Sequence, residues 1–158
     1  PSPQEVATYD QKPEMSVYAV TDTLIEKWES HTYTLVVCNF ANLDMVGHSG
    51  NFQAAVKACQ AVDECLGRVM HCVLGSGGRM LVTADHGNAE VMLDEKGGIQ
   101  TAHSQNPVPF VWLETDYPAA SLRSQGILGD IAPTILDLWG VQKPQEMTGQ
   151  SLVRPSSE

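Results

Sequence analysis

The sequence predicts an α/β fold in which a mostly parallel sheet is flanked by helices, and three observations predict it. Two apolar, β-branched runs, residues 34–40 and 79–84, read as buried parallel strands. A long helical pattern separates them, giving a strand-helix-strand unit whose crossover must be right-handed if the strands are parallel neighbours. Each run also ends in a turn rich in Asp and His, at the carboxyl edge where open α/β sheets bind ligands.

The elements follow in order. Val17, Val20, Leu24, Ile25 and Trp28 form a helical stripe opened by Ser16 as N-cap. After the first strand, Phe52, Ala55, Val56, Cys59, Val62, Leu66, Val69, Met70 and Val73 recur at three- and four-residue spacings, and Gly75, Gly77 and Gly78 end that helix. The second strand comes next. Residues 90–93 and 99–102 can pair across 94–98 as a small hairpin, and 110–113 reads as another short buried strand. Asp130 is a candidate cap for a last helix over 131–139, closed by Gly140. Trp28, Trp112 and Trp139 fall on faces expected to be buried, as core rather than as a stacking platform.

Composition narrows the class. A chain of 158 residues with 42% apolar content suits one compact unit with a real core. Nine Lys and Arg against nineteen Asp and Glu give a formal charge of −10, which argues against nucleic-acid or anionic-membrane partners. No apolar run is long enough to span a bilayer, and the first residues do not resemble a signal peptide. Cys38 lies in a predicted buried strand and Cys59, Cys65 and Cys72 on one helix, with no Cys-x-x-Cys pair. Reduced thiols and a cytoplasmic location are expected.

The chemistry concentrates in residues 39–50, 83–88 and 101–109, which supply Asp44, His48, Asp85, His86 and His103. Any one of these stretches alone is ordinary turn chemistry. Together they hold three of the five His residues beside two Asp, which suits a paired divalent-metal site. Asp44 and His48, four apart, project on one side if the chain turns helically there. Asp85 and His86 are adjacent and converge only where a strand breaks, a break that Gly87 supplies. His31 and His71 look incidental, the first near a helix C-terminus and the second within a helix.

These residues carry a resemblance. Residues 39–50, the Ala84-Asp85-His86-Gly87-Asn88 run and residues 101–110 resemble the cofactor-independent phosphoglycerate mutases of the alkaline phosphatase superfamily. Residues 6–10, 12–16, 126–134 and 146–152 agree as well, so the resemblance covers nearly the whole chain. Thr101-Ala102-His103 followed by Asn106-Pro107-Val108-Pro109 separates it from the phosphopentomutases, which share the Asp-His-Gly-Asn run.

The resemblance implies an alkaline-phosphatase-like fold, incomplete here, with residues 1–158 as the C-terminal portion of its metal-binding domain. It implies two divalent ions, one held by Asp44, His48 and His103 and the other by Asp85 and His86 with an Asp and a Ser from earlier in the protein. That Ser would be the nucleophile in interconverting 3-phosphoglycerate and 2-phosphoglycerate through a phosphoserine. Neither it nor the glycerate-binding domain is recognisable in this chain, so the chain alone is expected to be inactive and to need the preceding part of the protein as its partner. Manganese suits mixed oxygen and imidazole ligands, with zinc, cobalt and magnesium as alternatives. Another phosphomutase or phosphatase of the superfamily, or a non-catalytic module retaining the ligands, fits the same residues.

Overall fold

The computed structural model describes residues 2–115 and 121–154, and the chain forms two compact units, Pro1–Thr115 and Asp116–Glu158, rather than the single one expected. In the first, helices α1 (Val17–Glu29), α2 (Asn42–Gly47) and α3 (Phe52–Gly75) precede strands β1 (Met80–Thr83) and β2 (Phe110–Leu113). In the second, β3 (Ser121–Leu122), α4 (Ile131–Leu138) and β4 (Val153–Arg154) follow in turn.

The mostly parallel sheet is not what forms. Among the described residues helix dominates, and strand is confined to two small antiparallel pairs, β1 with β2 and β3 with β4. Residues 110–113 do form a strand, and they take β1 antiparallel, with Met80 opposite Leu113 and Thr83 opposite Phe110. Residues 34–40 form no helix and join no ladder. Leu35 and Val37 are exposed, Val37 at 82%. An apolar, β-branched run favours extended backbone, but a strand exists only where a second segment takes its N–H and C=O groups. Cys38, expected in a buried strand, is therefore exposed, as is Cys59.

The helices come closer to expectation. Ser16 stands at the N-cap of α1, and the Asn51 side chain caps α3 by accepting from the Ala54 N–H at 3.2 Å. The buried residues of α3 are Ala54, Ala55, Ala58, Ala61, Cys65, Val69 and Val73; Ala55, Val69 and Val73 belong to the expected stripe, and the others lie beside it. Phe52, Val56 and Met70 are exposed instead. Small residues on the buried face let α1 and α2 approach closely, and that contact outweighs the greater apolarity of the other stripe. Trp28 donates its indole N–H to Ser76 at 2.8 Å, joining the ends of α1 and α3, whereas Trp139 is 44% exposed and not core.

One core cluster matters most for function. Met15, Val46, Ala54, Ala55, Ala58 and Met92 bury together, with Tyr9, Leu43 and Met45 packed against them. Val46 is fully buried on α2, a contribution of about 1.5–3 kcal/mol. The start of the same short helix is pinned by Asn42, whose buried amide donates to the Pro13 and Glu14 carbonyls at 2.9 and 2.8 Å. A six-residue helix has little stability of its own. Its position is set by this packing and by the Asn42 anchor.

In the second unit Asp130 precedes α4, but its carboxylate does not cap that helix. It accepts from the Gln150 and Ile127 N–H groups at 2.8 and 3.0 Å and from Arg123 at 3.0 Å, tying the segments before and after α4 to its start. Buried Thr134 adds a second tie, accepting from the Leu152 N–H at 2.9 Å. The helix ends at Leu138, with Gly140 just beyond at φ +68°.

Candidate metal centre

Asp44 sits in α2 and His48 at its C-cap, so the four-residue spacing does place both side chains on one side of a helical turn. His48 Nε2 lies 3.2 Å from Asp44 Oδ1. The chain then turns at Gly50, where φ is +69° and a Cβ would overlap the Ile99 side chain. Glycine thus lets residues 99–101 lie against the end of α2, and the Thr101 carbonyl meets His48 Nδ1 at 2.6 Å.

That contact fixes the ring. A carbonyl oxygen only accepts, so Nδ1 carries the proton, and in the neutral ring Nε2 presents a lone pair. Nε2 faces Asp44 Oδ1 and, at 3.1 Å, His103 Nε2. His103 Nε2 is itself 3.0 Å from Asp44 Oδ1.

His86 joins from the turn after β1. Its ring stacks on His103, centroids 3.7 Å apart and planes 18° from parallel. Ligand atoms of Asp44, His86 and His103 lie within 4.8 Å of one another. The stretch 90–102 does pair across 94–98 as expected, but only briefly, through an antiparallel Leu93–Ile99 bridge and the Gln100 N–H bond to the Met92 carbonyl at 2.9 Å, and it delivers His103 at its end. Asp44, His48, His86 and His103 are thus brought together. Asp85 is not among them: its side chain is 74% exposed and its nearer oxygen is 3.7 Å from His86 Nε2. Among the described residues there is one Asp/His cluster able to hold a metal, not two separate ones.

The donor set fits a divalent cation. Asp44 Oδ1, His48 Nε2 and His103 Nε2 lie 3.0, 3.1 and 3.2 Å apart, so as three bare lone pairs they would repel one another unless a proton or cation lay among them. A tetrahedral ion with bonds of about 2.0–2.2 Å spaces its ligand atoms about 3.3–3.6 Å apart, and an octahedral one with bonds of about 2.0–2.1 Å about 2.8–3.0 Å. The observed spacings fall between the two.

Two residues that sequence reasoning left without a role complete the surroundings. Asn88, buried, donates its amide to Asp44 Oδ1 at 3.1 Å and packs against Gly47. Glu90 accepts from the Asn88 N–H at 2.7 Å and from Asn106 at 3.1 Å, and also takes the Ser104 hydroxyl. The Ser104 bond, before any other cause, holds the Glu90 carboxyl below the ordinary carboxylate range. The only signal in the sequence was proximity: both follow the Asp-His-Gly turn within four residues of His86.

A sequence model described as the metalloenzyme superfamily matches residues 1–143. The chain belongs to that superfamily. Among curated relatives, the 2,3-bisphosphoglycerate-independent phosphoglycerate mutase of Nitratidesulfovibrio vulgaris is 61% identical over 153 residues, 97% of this chain and 30% of the relative. That of Syntrophotalea carbinolica is 56% identical over 156 residues, 99% of this chain and 30% of the relative. A crystal structure of Leishmania mexicana phosphoglycerate mutase, obtained at low cobalt concentration, matches 98% of this chain and 30% of its own with a TM-score of 0.87 and 32% identity. The chain therefore spans about 30% of the length of the curated relatives it matches. No helix among the described residues is long and apolar enough to cross a membrane.

Proposed function

We propose that this chain is the C-terminal, metal-binding portion of a 2,3-bisphosphoglycerate-independent phosphoglycerate mutase, which interconverts 3-phosphoglycerate and 2-phosphoglycerate through a phosphoserine. The observation that supports this most is the convergence of Asp44, His48 and His103, with His48 held in the tautomer that turns its bare Nε2 to the other two. High identity to curated mutases over nearly the whole chain supports the substrate.

Asp44, His48 and His103 would hold one divalent ion, with manganese the first choice and cobalt, zinc and magnesium as alternatives. Asp85 and His86 would serve a second ion whose remaining ligands come from another part of the protein. Bound there, such ions would supply Lewis acidity, neutralising charge on the transferring phosphoryl group and favouring the serine alkoxide.

The residues of this chain set up that chemistry. The Thr101 carbonyl keeps the His48 proton on Nδ1, and Asn88 steers the Asp44 carboxylate toward the two imidazoles. The serine nucleophile lies outside this chain, so the chain alone does not turn over. In the longer protein, His103→Ala should abolish enolase-coupled turnover and lower bound metal while leaving the circular dichroism spectrum unchanged. Full turnover in that variant, or robust turnover by the 158-residue chain alone, would refute the proposal.

A further inference from the structure

We infer that Glu90 is a positioning residue, the carboxylate that fastens the His86 and His103 loops to each other and, through Asn88, to Asp44. This inference rests on the metal-binding reading of the same cluster.

Glu90 touches three donors on two loops. On its own loop, Oε2 accepts the Asn88 N–H at 2.7 Å, two residues past His86. On the facing loop, Oε1 accepts from the Asn106 amide at 3.1 Å and from the hydroxyl of Ser104, the residue next to His103. One backbone bond reinforces the join, from the Ser104 N–H to the Gly87 carbonyl at 2.8 Å. A Cβ at Gly87 would meet the Glu90 carboxylate and the Ser104 hydroxyl, so glycine leaves these two groups the room in which they bond. The consequence is visible one residue away on each loop, where the His86 and His103 rings stack.

The reach to Asp44 is indirect. With its N–H held by Glu90, Asn88 sends its side-chain amide 3.1 Å to Asp44 Oδ1, 44 residues earlier in the chain. Both oxygens of Glu90 are engaged by these donors, which suits holding rather than ligating. Hydrogen bonds to an ionised carboxylate are about twice as strong as neutral ones, so one such group can keep two irregular loops in register. Outer partners that orient metal ligands typically contribute about 10–100-fold to metal affinity.

The test is a manganese titration of the 158-residue chain, followed by the electron paramagnetic resonance signal of the free aqueous ion, well below the melting temperature. The parent should take up manganese, and Asp44→Asn should bind far more weakly. Glu90→Gln, nearly isosteric, should raise Kd about tenfold or more with an unchanged circular dichroism spectrum, and Glu90→Asp should recover part of the loss. Ser104→Ala should weaken binding in the parent but add little in the Glu90→Gln background, because both remove one clasp. Parent affinity in Glu90→Gln, or full additivity with Ser104→Ala, would overturn the inference even if Asp44→Asn behaves as expected. No uptake by the parent, or unchanged uptake by Asp44→Asn, would overturn the metal-binding reading itself.

Discussion

Stripping divalent ions from the chain and returning manganese should raise its melting temperature by about 8–11 °C. A ligand that binds only the folded state adds roughly 2.7 kcal/mol at a concentration about 100 times its dissociation constant. Asp44, His48 and His103 all belong to the unit Pro1–Thr115. A unit of that length has an unfolding entropy of about 0.24 kcal/mol/K, which converts the stabilisation to about 11 °C; if the second unit melts with it, the shift falls to about 8 °C. Asp44→Asn keeps the side-chain shape but removes the anionic ligand. A hundredfold loss of affinity would leave about 0.4 kcal/mol at the same manganese concentration, a shift under about 2 °C. Scanning calorimetry with and without manganese reads both values, and His71→Ala, far from the cluster in sequence and on the exposed side of α3, should keep the full shift. An equal shift in the parent and in Asp44→Asn would refute the reasoning, because stabilisation would then come from another site.

Two further outcomes probe the fold around the site and in the second unit. Ala58 is fully buried on α3 within the cluster that seats α2, so Ala58→Leu should destabilise by about 1–3 kcal/mol through overpacking and weaken manganese uptake; denaturant melts and the same titration check it. The Gln150 N–H first, then the Ile127 N–H, hold the Asp130 carboxyl below its ordinary value. A depressed folded-state value stabilises above the unfolded one, so this contribution is present above about pH 4 and is lost as the pH falls through the lower folded value. Asp130→Asn should remove that acid-side loss, and unfolding monitored between pH 2 and pH 6 would show a persistent slope if the reasoning is wrong.

Local signals were readable in the sequence because they are complete within a few residues. Ser16 at a helix start, the glycines after Leu74, and the apolar run 110–113 each produced the element they indicate. The run 34–40 did not, since its pattern specifies extended backbone while a ladder needs a partner elsewhere in the chain. The α3 stripe was read from apolar strength, which favours Phe52 and Met70. Burial kept Ala55, Val69 and Val73 of that stripe but otherwise followed the residues beside it, Ala54, Ala58, Ala61 and Cys65.

The site divides along the same line. The Asp44–His48 spacing was legible because one helical turn enforces it. The placement of His86 against His103, and of Asp85 toward solvent, depends on two irregular loops meeting across the Gly87–Ser104 bridge, a nonlocal contact without a periodic signature. Glu90 and Asn88 escaped notice for the same reason: their roles exist only once the loops are in register.

The most direct test of the metal centre is diffraction from crystals of this chain grown with manganese, with data collected at energies above and below the manganese absorption edge. An anomalous difference peak bounded by Asp44 Oδ1, His48 Nε2 and His103 Nε2, absent below the edge, is the expected result. A manganese peak held by other residues, or none at this cluster when calorimetry shows saturation, would contradict it.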